Sequence, residues 1–227
     1  MTAKALRSNS IFQGRYLFHV HTWATDGKLN VDDYFRFARD RGIDRIIFLE
    51  HIRRVPTYDV DAYVTAVKAG SHEFGVSALA GFETKILPDG SLDIDEKHAN
   101  AAEALGIAEH SFAGDSDQLA GALTACFLRY DRLRAVRGLV WVHPGLYFKK
   151  HGLLEKERSR YRDLLNQAVQ AGVPPERNMR YDLVSQPVFA ELDPACRVVG
   201  ADAHSADDLE RYVNWFPAQQ TELESRP

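Results

Sequence analysis

Residues 16–41 read YLFHVHTWATDGKLNVDDYFRFARDR, and this stretch decides the fold class. It opens with a short apolar run, Tyr16 to His21. After a polar turn comes Val31 to Arg41, in which Tyr34, Phe35 and Ala38 share one face at helical spacing. The unit predicts a strand followed by an amphipathic helix.

The alternation continues outward from it. Arg45 to Leu49, Ser77 to Phe82, Gly106 to His110 and Gly138 to His143 read as strands, and Val60 to Phe74, Glu96 to Leu105 and Leu119 to Val136 as the helices between them. A charged helix is expected over Leu153 to Ala171, then an irregular stretch from Gly172 to Pro194, a short strand Arg197 to Gly200 and a helix Asp207 to Phe216. Strands alternating with helices predict an α/β fold with a mostly parallel sheet covered by helices, and about seven such units favour a closed barrel over an open sheet. No repeat, low-complexity run or linker divides the chain. A single domain is therefore expected over residues 16–216, with tails at 1–15 and 217–227.

At 227 residues, 45% hydrophobic and 26% charged, the chain can bury one substantial core. Twenty-eight basic against 32 acidic side chains leave a formal charge of -4, so no global field draws nucleic acid or an anionic membrane, and neither is expected as a partner. Any acidic ligand must be held locally. Cys126 and Cys196 form no disulfide framework or zinc-knuckle spacing, a usage that fits a reducing cytoplasm. Met1 to Ser10 lacks the apolar core of a signal peptide, and no run approaches the ~20 apolar residues of a membrane span. The glycines make neither a dinucleotide nor a P-loop pattern, which disfavours a nucleotide triphosphatase.

In parallel α/β folds, functional side chains collect at the carboxyl ends of the strands. Here those ends carry His19 and His21, Glu50 and His51, Glu83, His110, His143, and Asp202 with His204. His19 and His21 lie two apart, which on a strand turns both imidazoles to one face. One isolated histidine is most often a hydrogen-bonded core or surface residue. Six of the nine histidines at strand ends, joined by two carboxylates, are a different matter, since burying such groups without a cation carries a heavy desolvation cost. His72, His98 and His151 sit among polar neighbours and are expected to be solvated.

HVHTWATDG, FLEH, GFE, AEHS, WVHP and GADAHSADDL, in this order over about residues 16 to 216, resemble the motifs of the PHP (polymerase and histidinol phosphatase) family. The resemblance implies a distorted (β/α)7 barrel of the PHP, TIM-like type, with two or three divalent ions, zinc, manganese or iron, at the carboxyl ends of the strands. It implies His19, His21, Glu83 and Asp202 as ligands of a first ion, and Glu83, His110 and His143 as ligands of a second, with Glu83 as the bridge. Asp26, His51 and His204 would hold the third. Glu50 stands where many members have Asp; it is expected to orient His51 without being a ligand. The family's Glu-x-Asn sequence could be matched by Glu176, Arg177 and Asn178, but Pro174 and Pro175 argue against a regular strand, and no role is assigned there.

The chemistry implied is hydrolysis of a small-molecule phosphate monoester by a metal-bridging hydroxide, with Glu83, Asp202 and His204 at the reacting centre and no phosphoenzyme. Arg53, Arg54 and Lys85 flank the motifs and are candidates to bind substrate phosphate, arginine's planar fork being suited to it. The bland alternative for each is a solvated basic residue. Tyr147 and Phe148 are candidates to wall the cleft, although aromatics after a strand more often pack on the adjoining helix. Competing readings are a phosphodiesterase or nuclease with the same cluster, a non-catalytic metal-bound structural module, and a metal-dependent hydrolase attacking carbonyl carbon. A panel of monoesters, diesters and amides separates them. Oligomeric state is not legible.

Overall fold

The structure, a computed structural model, describes residues 11–130, 138–181, 183, 192 and 196–224. Its strands are short and pair in parallel: β1 (Tyr16–Phe18), β2 (Arg45–Ile47) and β4 (Ser77–Leu79) form one sheet in the order β1-β2-β4. A second sheet has the order β3-β5-β6-β7, from β3 (Glu50–Ile52), β5 (Gly81–Lys85), β6 (Ala104–Ala108) and β7 (Gly138–Trp141). The third pairs β8 (Glu176–Asn178) with β9 (Val198–Gly200). Between them run α1 (Val31–Asp40), α2 (Val60–Phe74), α3 (Glu96–Ala101), α4 (Ser116–Tyr130), α5 (Leu146–Lys150), α6 (Arg158–Gln170) and α7 (Ala206–Glu224).

The α/β class with parallel strands is as the periodicity predicts, but the ladders make three sheets where one continuous barrel was expected. The breaks have local causes. The run expected as Arg45–Leu49 divides into β2 and β3 because Phe48 and Leu49 donate their amides to Leu79 and Val20. Likewise the run expected as Ser77–Phe82 divides at Ala80, whose amide is taken by the Glu103 carboxylate at 3.1 Å, and β5 continues to Lys85. Backbone bonds nevertheless join the sheets: Ala201 N donates to Phe18 O at 2.8 Å, and Trp141 N to Pro174 O at 3.0 Å.

Element boundaries differ from expectation where caps decide them. α3 stops at Ala101 because Ala102 turns extended, so the next strand is Ala104–Ala108 and not Gly106–His110. α7 runs on to Glu224 through residues expected to fray. At the other end, Ile11 is buried and its carbonyl accepts from Arg45, although residues 1–15 were expected as a tail. Positions 131–136 of the expected helix Leu119–Val136 and most of 182–195 lie outside the described residues.

The segment after Pro174 and Pro175 is a strand, contrary to the proline argument. Pro174 contributes only its carbonyl, as an acceptor for Trp141, so its missing N–H costs nothing there, and β8 begins directly after the prolines.

The core is continuous, with Trp141, Tyr16, Tyr34, Phe18, Phe35 and Phe48 among its fully buried members. α1 illustrates how sequence makes it. Asn30 caps the helix through the Asp33 amide, Asp33 returns the bond to Asn30 N, and Val31, Tyr34, Phe35 and Ala38 form the buried face. From that face Tyr34 donates its hydroxyl to His21 O at 2.6 Å and lies 3.2 Å from Ala203 O, tying the helix to two strand ends.

Candidate metal centre

The strand ends converge. Glu83, in β5, lies with one carboxylate oxygen 2.9 Å from His19 Nε2 and 3.4 Å from His21 Nε2. Its other oxygen is 3.2 Å from His143 Nε2. Asp202 Oδ1 is 3.9 Å from His19 Nε2 and 3.7 Å from His21 Nε2. Asp26 reaches His51 Nε2 at 3.3 Å and His204 Nε2 at 3.4 Å. Two donors each ~2.1 Å from one tetrahedral ion stand about 3.4 Å apart, so these separations are those of ligand atoms around shared cations.

Three groups of donors are close enough to hold an ion: His19, His21 and Asp202; His19, Glu83 and His143; and His21, Asp26, His51 and His204. The structure thus brings together eight of the nine sequence-derived ligand candidates, and it redistributes two of them, His19 entering the second group and His21 the third. The ninth, His110, stands beside the cluster with its ring 5.1 Å from His143 and faces the cleft.

The residues fit divalent ions on an observation independent of motif. Both ring nitrogens of His21 and the Nδ1 atoms of His110 and His143 are buried without a hydrogen-bond partner. Orphaned buried nitrogens are rare because each carries a desolvation cost, and a coordinated cation removes it. Electrostatics agree. Burial pushes the His21 imidazole down, but Glu50 and Glu83 outweigh it and hold its pKa at about 9. Burial, with the charge of His143 adding, lowers His110 to about 4. Glu83 is held well below the carboxylate range against its burial, chiefly by His143.

His19, His143 and Asp202 all adopt positive φ, at 65°, 33° and 50°. Such backbone costs about 1–3 kcal/mol at each non-glycine residue and persists only where the surroundings over-determine it. His19 is therefore not in regular strand geometry; its ring reaches His21, centroids 5.1 Å apart, by a left-handed residue and not by period-two alternation.

Three buried carboxylates support the cluster, and sequence reasoning misassigned or missed them. Glu176 accepts from His19 Nδ1 at 2.8 Å and from His143 N at 2.7 Å, and Asn178 Nδ2 donates to it at 3.0 Å. The Glu-x-Asn match was the available signal, discarded because of the prolines. Glu50 accepts from Thr22 N at 2.9 Å and from the hydroxyls of Thr22 and Thr25, and lies 3.8 Å from His21 Nδ1. It steadies His21 and the turn leading to Asp26, not His51 as expected. Glu109 accepts from Trp141 Nε1, and from Gly145 N at 2.7 Å, fixing the loop after His143; burial pushes its carboxyl up to about 7. Nothing in its local sequence marks that role.

Gly27 closes the turn carrying Asp26. A Cβ there would lie 2.0 Å from His21 O, so only glycine permits the fold-back.

From the cluster opens a cleft of about 410 Å³, lined by Thr25, Ile52, Arg53, Thr57 and Lys85 beside Asp26, His51, Glu83 and His110. Arg53 and Lys85 face it. Arg54 does not line it and instead donates to Ser91 at 3.1 Å. Tyr147 and Phe148 do not wall the cleft: both are buried, Tyr147 donating to Gly114 O and Phe148 packing on Tyr161. His72 and His151 are exposed, while His98 is half-buried against Asp95. Cys126 and Cys196 are both free and buried. No helix among the described residues is long and apolar enough to cross a membrane.

No protein-family model and no curated protein matches the chain. Solved structures do. Histidinol phosphate phosphatase from Lactococcus lactis subsp. lactis Il1403, complexed with zinc, L-histidinol and phosphate, superposes with a TM-score of 0.65 at 12% identity, over 93% of this chain and 94% of that one. The putative histidinol phosphatase of Listeria monocytogenes gives 0.60 at 15% identity, over 88% and 100%. An amidohydrolase II structure gives 0.52 at 11% identity, over 92% of each chain. The chain shares the fold of these proteins.

Proposed function

We propose that this chain is a metal-dependent phosphoesterase that hydrolyses a small-molecule phosphate monoester. The observation that carries the reading is the convergence of five imidazoles and three carboxylates at ligand spacing around orphaned nitrogens of His21. The fold shared with a histidinol phosphate phosphatase supports it. On this reading the three sheets act as one distorted seven-unit barrel, linked through the Ala201–Phe18 and Trp141–Pro174 bonds.

His19, His21 and Asp202 would hold one ion, Glu83 and His143 with His110 or His19 a second, and Asp26, His51 and His204 a third. Zinc, manganese or iron bound there supplies Lewis acidity that brings the pKa of water toward 7 and neutralises charge on a phosphoryl group in flight. The chain's own residues do the rest. Glu83 turns one oxygen toward His143 and the other toward His19 and His21, so it would serve two groups of donors at once. Glu176 takes the Nδ1 proton of His19 as a hydrogen bond, which leaves Nε2 turned toward the cluster. The buried floor excludes water, and a cleft of about 410 Å³ suits a metabolite.

The test is metal analysis of purified protein coupled to a panel of phosphomonoesters, phosphodiesters and amides, repeated for Glu83→Gln and Asp202→Asn. Monoester turnover that tracks metal content and collapses in both variants supports the reading. A fully metallated protein inert to all monoesters overturns it. The amidohydrolase-like neighbour makes carbonyl hydrolysis the second reading, which amide turnover would favour.

A further inference from the structure

We propose that the cleft selects phosphate monoesters whose organic part carries a second anionic group, bound by Lys85 and Arg53. The inference rests on the phosphomonoesterase reading and adds to it the charge of the substrate.

The carboxylates lining the cleft are already engaged: Asp26 by His51 and His204, Glu83 by His19, His21 and His143. What remains charged on the lining is positive. Arg53, mostly exposed, reaches Asp93 only at 3.8 Å. The Lys85 side chain is half-buried and makes no hydrogen bond or ion pair among the described residues. Two cations, Arg53 and Lys85, thus line one cleft, with Asp93 beside Arg53 as counter-charge. Arg180, by contrast, is already paired with Asp208 at 3.2 Å and is not available to this rim.

Like charges gathered on a partly desolvated wall repel one another, and an anionic ligand group relieves that repulsion. The scissile phosphate is met by the divalent cluster, so these cations are left for a carboxylate or second phosphate elsewhere on the substrate. An amino-alcohol leaving group would instead bring another positive charge to the same rim. The cleft is therefore built for a different leaving group from the L-histidinol found with the Lactococcus protein.

The decisive comparison uses the zinc-loaded protein and two phosphonates that differ in the charge of the tail, 3-phosphonopropionate and 2-aminoethylphosphonate, by isothermal titration calorimetry. The carboxylate-tailed probe is expected to bind at least about tenfold tighter, and Lys85→Gln combined with Arg53→Gln to shrink that preference by about tenfold. The ratio of kcat/KM for 3-phosphoglycerate over O-phosphoethanolamine should move in parallel. Equal binding of the two phosphonates, preference for the amine, or a preference untouched by the double variant overturns the proposal while monoester turnover keeps the phosphatase reading intact. Failure of every monoester removes both.

Discussion

Glu176 Oε1 lies 2.8 Å from His19 Nδ1, both side chains fully buried and 157 positions apart in sequence. A neutral imidazole has one N–H, and giving it to Glu176 commits Nε2 to face Glu83 and Asp202. Removing the acceptor should therefore loosen the cation site without touching a ligand. Glu176→Ala is expected to weaken zinc affinity about 10–100-fold. Competition with a chromophoric chelator reads this directly, and an unchanged affinity would detach Glu176 from the site.

Gly200 is the complement of that pair. A Cβ at this position would stand 1.6 Å from Glu176 Oε1. Gly200→Ala should cost about 1–3 kcal/mol in urea unfolding by overpacking, and lower zinc affinity as Glu176 is displaced. In a Glu176→Ala background the obstruction is gone, so the same substitution should be close to neutral; additivity of the two would refute the coupling.

Glu83 and Asp26 predict graded metal loss. Glu83 is buried and shared by four imidazoles within 3.8 Å, whereas Asp26 is 54% exposed. Glu83→Gln should strip most of the bound metal and Asp26→Asn only the most weakly held fraction, as elemental analysis after gel filtration would resolve. Equal losses in the two variants would contradict a bridging Glu83.

Stability should respond to pH in opposite senses with and without metal. In metal-free protein His21 has a pKa of about 9, above the ~6.5 of an unfolded imidazole. Its contribution is fully present below ~6.5 and is lost as pH rises through about 9. His19 and His143 are raised too and act in the same direction. Divalent ions need neutral ligands, so binding releases protons and strengthens as pH rises. Melting temperatures of chelator-treated protein should fall from pH 6.5 to 9, and the stabilisation added by zinc should grow over the same range. Parallel trends would count against metal on these histidines.

The sequence exposed the donor set because chain order suffices for it. A strand's carboxyl end is visible wherever an apolar run stops, and His19, His21, Glu83, His143, Asp202 and His204 all stop such runs. It failed where a residue acts across the fold. Glu109 and Glu176 gain their roles from partners in other elements, and Glu50 proved to steady His21 where its neighbour His51 had been expected. The proline rule misled at β8 because it concerns the missing N–H of a proline inside a strand, whereas Pro174 and Pro175 precede β8 and Pro174 supplies only its carbonyl.

By itself, then, the order of residues determined the α/β alternation, the faces of helices such as α1 and the chemical kind of the centre, all of which follow from spacing along the chain. Only tertiary structure decided which imidazole meets which carboxylate, that the strands break into three sheets, and that Lys85 and Arg53 line one cleft. Those depend on distances between segments far apart in sequence, set by packing and by positive-φ residues at His19, His143 and Asp202, and local periodicity carries no record of them.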